Sequence, residues 1–205
     1  AMKLRHAPAS VGPILRTLRL YHHPQRHELF VHGLKRSGNH AVINWLLRQY
    51  PGWGVFLNDL KPGEGILRTG PADRIFFDNR TQAEVAQGHG ISFVPLLLQS
   101  FEDKSFEALQ QNRREQSRRS RDILLLRDPF NLFASRFQRR HQKFYQNRDG
   151  YRAQMKALWK AYAREFLGET QFLRPDKVCV NYNRWFTQPA YRQQLAGELG
   201  LIFTD

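Results

Sequence analysis

Apolar residues in this chain gather into short unbroken runs, separated by stretches rich in glycine, proline and charge. Glu28 to Gly33 (ELFVHG), Ile91 to Leu98, Arg121 to Leu126 (RDILLL) and Lys177 to Asn181 (KVCVN) are the main runs. Apolar runs without polar alternation suit strands buried on both faces of a parallel sheet. Two shorter strand candidates, Val55–Asn58 and Arg74–Phe77, lie within the Gly-, Pro- and Asp-rich segment 51–90.

Between these runs the period changes to that of helices. From about Gly38 to Gln49, residues Ala41, Val42, Ile43, Trp45, Leu46 and Leu47 cover almost the whole circumference, which predicts a buried helix. Asp128-Pro129 combines an N-cap acid with a proline at the first helical position. Phe130, Phe133, Ala134 and Phe137 then follow on one face. Residues 151–167 carry a stripe of Tyr151, Met155, Leu158, Trp159, Tyr162 and Phe166. Thr187, Gln188 and Pro189 open a last helix, with Gly200 at its C′ position. Strands alternating with helices predict a three-layer α/β domain with a central parallel sheet and helices on both faces. Ligands in such sheets bind at the carboxyl ends of the strands. Residues 1–27, basic and broken by Pro8, Pro13 and Pro24, read as an irregular lead-in to one domain over 28–205.

Composition narrows the function classes. In 205 residues, 32 Lys and Arg face 18 Asp and Glu, a formal charge of +14, so an anionic partner is expected. Nucleic acid, a phosphorylated cofactor, an acidic sugar and a lipid surface all meet that requirement. The single cysteine, Cys179, excludes an internal disulfide framework and a cysteine-based zinc cluster. No HExxH pair occurs, and no stretch approaches the roughly eighteen uninterrupted apolar residues of a membrane span. Arg16 and Arg19 interrupt what would be the apolar core of a secretory signal, so a cytoplasmic protein is expected. The opening Ala1-Met2 reads as a cloning remnant, which leaves room for native sequence upstream.

Two segments carry candidate chemistry. Gly33 to His40 joins the first strand to the buried helix, and such a turn offers backbone N–H groups and the positive helix end to an anion. Lys35 and Arg36 add charge there. Gly33 and Gly38 have the spacing of the pattern GxxxxGK(S/T). Asn39 stands at the lysine, however, and His40 at the metal-binding hydroxyl, so the loop fits a phosphate rather than Mg-triphosphate. In ILLLRDPFNLFASRFQ, Arg127 ends a strand and Ser135 follows eight residues later in a helix, a guanidinium–hydroxyl pair suited to a phosphate monoester.

Together these segments resemble PAPS-dependent sulfotransferases (PAPS is 3′-phosphoadenosine 5′-phosphosulfate). LKRSGNHAVINWL stands for the family's 5′-phosphosulfate loop, PKSGTTW or G-x-R-K-G-G-T. Arg127 and Ser135 stand for its 3′-phosphate element. NYNRWFTQP is similar to its tyrosine-acidic-x6-Pro element, with Tyr182 toward adenine and Asn183 in the acidic place. The resemblance covers roughly 28–201. It implies a P-loop-type fold and cofactor contacts from Lys35, Arg36, Ser37, Gly38, Asn39, His40, Arg127, Ser135 and Tyr182. It also implies metal-independent in-line transfer of a sulfuryl group from PAPS to a hydroxyl or amine. Adenosine 3′,5′-bisphosphate would be left behind. Arg36 or Lys35 would stabilise charge on the leaving phosphate, each such donor being worth roughly 3–4 kcal/mol. The family's Gly-rich, basic cofactor-closing loop has no counterpart before Asp205.

The general base is expected at the end of LLLQSFEDK, with Glu102 first and Asp103 beside it; Asp59, His40 and His89 are alternatives. Glu102 and Asp103 also fit as acids at a helix N-terminus. The arginines of 113–121 read as a solvated face. A second cluster, Arg136, Arg139, Arg140, Lys143, Arg148 and Arg152, suits an anionic acceptor. Trp45, Trp159 and Trp185 read as core, and Trp53 as a turn or pocket residue. Alternatives to the enzyme are a kinase with an aberrant loop, a nucleic-acid-binding protein, and a sulfotransferase-like fold that binds cofactor without turnover.

Overall fold

The computed structural model of this chain describes residues 5–6, 26–50, 52–61, 73–79, 94–110, 119–138, 150–201 and 203. His89, the arginines at 113, 114, 118, 139, 140 and 148, Lys143, Phe144 and Tyr145 lie outside the described residues.

The elements in chain order are β1 (Arg5–His6), β2 (His27–Gly33), α1 (Asn39–Gln49), β3 (Trp53–Leu57), β4 (Arg74–Asp78), β5 (Leu96–Glu102) and α2 (Phe106–Gln110). Then follow β6 (Ser120–Leu126), α3 (Pro129–Arg136), α4 (Tyr151–Phe166), β7 (Val178–Asn181), α5 (Tyr182–Thr187) and α6 (Pro189–Leu199). One sheet has the order β1-β4-β3-β5-β2-β6-β7. β3, β5, β2, β6 and β7 are parallel. β4 pairs antiparallel with β3, and β1 antiparallel with β4, so the sheet departs from parallel pairing at that edge. Short strands in a Gly/Pro-rich segment carry no signal of direction.

The sheet is covered on both faces, as three layers require. One face of β2, β5 and β6 buries Leu29, Val31, Leu96, Leu98, Ile123 and Leu125 against Val42 and Leu46 of α1, Trp185 of α5 and Leu195 of α6. The other buries Phe30, Leu97 and Leu124 against Phe106 of α2, Leu132 of α3 and Tyr162 of α4. At the β7 edge the Tyr191 hydroxyl donates to the Cys179 carbonyl (3.1 Å) and accepts from the Asn181 N–H (3.1 Å). That contact occupies backbone groups that an edge strand otherwise presents for pairing.

Two helices differ from expectation. α5 occupies Tyr182–Thr187, directly after β7, capped by the Asn181 side chain. In α3 the Phe130 side chain is 85% exposed, and the buried residues are Leu132 and Arg136. The phenylalanine stripe is therefore not the buried face. A charged residue takes that position because its partners, Asp103 just past β5, Tyr151 of α4 and the Lys35 carbonyl, lie beneath it.

β2 connects over one face through α1 to β3, whereas β6 connects over the other face to β7 on the opposite side. The carboxyl ends of β2 and β6 thus flank a topological switch point, where open α/β sheets hold ligands.

Candidate anion-binding site

The turn after β2 closes when the Ser37 N–H donates to the Leu34 carbonyl (3.0 Å). Arg36 (φ 76°) and Gly38 (φ 92°) are both left-handed. Such turns line up successive N–H groups as an anion-binding concavity. α1 begins immediately after Gly38, has no acid in its first turn, and leaves its first N–H groups without intrahelical acceptors. Nothing in that turn neutralises its positive end.

Glycine is required at position 38 for a second reason. A Cβ there would run into the Tyr182 ring at Cδ2, Cε2 and Cζ. Gly38→Ala is expected to push Tyr182 off the loop and to cost about 1–2 kcal/mol from the left-handed backbone alone. Thermal unfolding together with tryptophan fluorescence, which reports Trp185 stacked on Tyr182 (5.7 Å), checks both effects.

Arg127 leaves the end of β6 and donates from Nη1 to the Arg36 carbonyl (3.0 Å). Its own carbonyl accepts from Trp159 Nε1 (3.0 Å), which ties α4 to the site. The Arg127 guanidinium lies 5.1 Å from the Tyr182 ring centroid. Arg36 Nε donates to Ser135 Oγ (3.2 Å). Arg36, Gly38, Arg127, Ser135 and Tyr182, drawn from four segments, therefore meet at one place. Among the described residues neither Arg36 nor Arg127 has an ion-pair partner.

Asp128 caps α3 by accepting from the Asn131 N–H (2.8 Å) and also accepts from Asn183 Nδ2 (2.9 Å). Burial opposes its charge, but these hydrogen bonds and the Arg127 charge hold its carboxyl below the ordinary aspartate value. Asn183 thus ties α5 to α3.

Acids and cations on the β3–β5 side are mostly committed to one another. Asp59 (φ 43°) pairs with Lys35 (2.9 Å) and Lys104 (3.0 Å) and accepts from the Glu102 N–H (3.2 Å). Burial works against its charge, yet the two lysines hold its carboxyl below the ordinary value. Burial likewise opposes the charge on Lys35, and Asp59, Asp103 and Glu102 outweigh it, so the ammonium stays above the ordinary lysine value. Asp103 (φ 56°) is held bidentately by the fully buried Arg136, through Nη1 (3.0 Å) and Nη2, and accepts the Lys35 N–H (2.9 Å). Arg136 Nη1 also donates to the Lys35 carbonyl (2.9 Å), and Nε to the Tyr151 hydroxyl (3.0 Å). Arg136 therefore braces the loop from beneath and is not part of a surface cluster.

Glu102 ends β5 beside Gly33 in the sheet register and accepts from Asn39 Nδ2 (2.6 Å). Asn39 is buried and also donates to the Leu34 carbonyl (3.0 Å), with its Oδ1 lying over Gly33. Its side chain is thus turned inward and offers no donor to the loop mouth, although its backbone N–H belongs to the helix end. Ser37 Oγ is likewise fully buried. His40 is exposed, with Nε2 3.1 Å from Asn58 Oδ1.

The sequence points to Arg136 only as part of an anionic-acceptor cluster, and it does not single out Tyr151 or Lys104 as site residues. Position beside Ser135 and beside Glu102-Asp103 was the available signal for two of them. Among the described residues no group of three or more His, Cys, Asp or Glu is placed to hold a metal, and no helix is long and apolar enough to cross a membrane. The sequence matches no protein-family model and no curated protein.

Proposed function

We propose that this protein is a PAPS-dependent sulfotransferase that moves a sulfuryl group to a hydroxyl or amine acceptor. The reading is carried by one observation: two guanidiniums without carboxylate partners, Arg36 and Arg127, converge with the Ser135 hydroxyl and the Tyr182 ring beside a left-handed loop at a helix end. That arrangement fits a nucleotide with two separated anionic groups. Loop N–H groups from 36–40 would hold the 5′-phosphosulfate, Arg127 and Ser135 the 3′-phosphate, and Tyr182 the adenosine.

When bound, PAPS supplies an activated sulfuryl group on a good leaving phosphate. The chain's part is to neutralise the phosphate, to orient it, and to accept the acceptor's proton. Of the three acids at the strand ends, Asp59 is neutralised by Lys35 and Lys104, and Asp103 by Arg136. Glu102 alone of these has no cation pair among the described residues, and only its Oε1 is hydrogen-bonded. It is therefore the group suited to take the proton. The inward turn of Asn39 weighs against the kinase alternative, which needs a cationic side chain at that position to reach the β- and γ-phosphates.

Arg127→Ala is expected to weaken adenosine 3′,5′-bisphosphate binding at least tenfold, about 1.4 kcal/mol or more, because it removes a charged donor. Calorimetric titration beside a thermal melt measures this. Unchanged affinity in a folded variant would contradict the proposed 3′-phosphate site.

A further inference from the structure

The outward side of α4 carries one sign of charge. Its exposed residues are Arg152, Lys156, Lys160 and Arg164, with Ala153, Ala157 and Gln154. The only acid of the helix, Glu165, is fully buried. The four cations stand at successive i+4 positions, about 6 Å apart along the axis and turned by about 40° at each step. They fan over about a third of the circumference, away from the side on which Met155 and Tyr162 are buried. Like charges at this spacing repel and weaken a helix. Arg164 meets the exposed Glu169 at 3.2 Å, whereas Arg152, Lys156 and Lys160 have no carboxylate partner among the described residues. The Arg152 guanidinium instead lies 5.1 Å from the centre of the Phe137 ring, just past α3.

Leu167, the residue that ends the helix, is 70% exposed. Helical spacing from Arg164 puts it in the middle of the fan. Cations, alanines and a protruding leucine, with no acid among them, make a face suited to an anionic bilayer. The Lys and Arg heads meet the headgroups, the alanines allow close approach, and the leucine enters the acyl boundary. Nucleic acid fits less well. It gives Leu167 no apolar surface to enter, and the face has no exposed aromatic ring on which a base could stack. We infer that the outer face of α4 docks the protein on an anionic lipid surface. Tyr162 stays in the core, so the helix lies on the bilayer as part of the folded domain. Trp159 of the same helix donates to the Arg127 carbonyl (3.0 Å), which ties the docking face to the anion site. The inference does not depend on the sulfotransferase reading.

The test is co-sedimentation of the full chain with vesicles of phosphatidylcholine alone and of phosphatidylcholine with about one third phosphatidylserine. The expected result is binding to the anionic vesicles that weakens as salt rises, and binding at least about tenfold weaker to phosphatidylcholine. Lys156→Glu and Lys160→Glu should each weaken it at least about fivefold, and Leu167→Ser about threefold. Arg48→Glu makes the same change in net charge at an exposed position of α1, on the opposite face of the sheet, and should stay within about twofold of wild type. All four side chains are exposed, so thermal melts should match wild type. Equal losses in Lys160→Glu and Arg48→Glu would show that net charge alone acts, and would overturn the docking face. No binding to the anionic vesicles would overturn it too. Tighter binding to duplex DNA, weakened by the lysine variants and indifferent to Leu167→Ser, would assign the face to nucleic acid instead. None of these outcomes decides the bisphosphate titration, since no varied residue belongs to the anion site.

Discussion

Arg136→Ala is expected to destabilise the protein by about 3–5 kcal/mol, the usual cost of removing one partner of a buried ion pair. The residue is fully buried, yet its guanidinium is satisfied on all sides, by both Asp103 oxygens, the Tyr151 hydroxyl and the Lys35 carbonyl. Removing it leaves the Asp103 carboxylate, 17% exposed, without its cation. It also frees the Lys35 peptide that sets up the left-handed Arg36. Nucleotide affinity should therefore fall along with stability. Arg136→Lys should recover little of either, because one ammonium cannot span Asp103, Tyr151 and the Lys35 carbonyl in the same geometry. Urea unfolding with a parallel titration reads both effects. A variant as stable as wild type would show that the Arg136–Asp103 pair does not brace the loop.

Glu165→Gln is expected to have an effect of similar size far from the site. The Glu165 carboxylate is fully buried on α4 and accepts from Thr170 Oγ1 (2.6 Å), the Phe172 N–H (3.0 Å) and the Leu173 N–H (3.1 Å), and pairs with Lys177 (3.0 Å). It thus organises the connection from α4 to β7. An amide has one acceptor oxygen and would turn its NH2 toward donors, at a cost of about 3 kcal/mol. Burial is the largest single influence and pushes the carboxyl up, but the four donors outweigh it and hold its pKa below the ordinary 4.5. A carboxyl depressed in the folded state stabilises fully above its unfolded pKa and loses that contribution as pH falls through its folded pKa. Wild-type stability should therefore decline on acidification below about pH 4.5, and Glu165→Gln should show a shallower decline. Urea unfolding midpoints across pH 3–7 measure the difference. Parallel pH curves for the two proteins would rule out this linkage.

The strands β2, β6 and β7 and the helices α1, α4 and α6 are readable to within a residue or two. Their apolar runs or stripes are continuous, and Pro129, Pro189 and Gly200 mark ends that local chemistry decides. β5 runs on to Glu102, past the apolar run, because Gln99 and Ser100 still pair with β2. α5 has no period to read in six residues, and its Asn181 cap is recognisable only once β7 is seen to stop there. The eight-residue spacing of Arg127 and Ser135 is local and so legible. The partners of Arg136 are not, since Asp103 follows β5, which the sheet order places beyond β2 from β6. Asn39 shows the same limit at short range. Its inward turn depends on the absence of a side chain at Gly33 and on Glu102 arriving beside it.

The central claim is most directly tested by calorimetric titration of the wild-type protein with adenosine 3′,5′-bisphosphate, beside adenosine 5′-phosphate and Mg-ATP. The predicted result is binding of the bisphosphate in the micromolar range, near −8 kcal/mol, with the other two at least tenfold weaker. A preference for Mg-ATP, or no discrimination between the bisphosphate and the 5′-monophosphate, would contradict it.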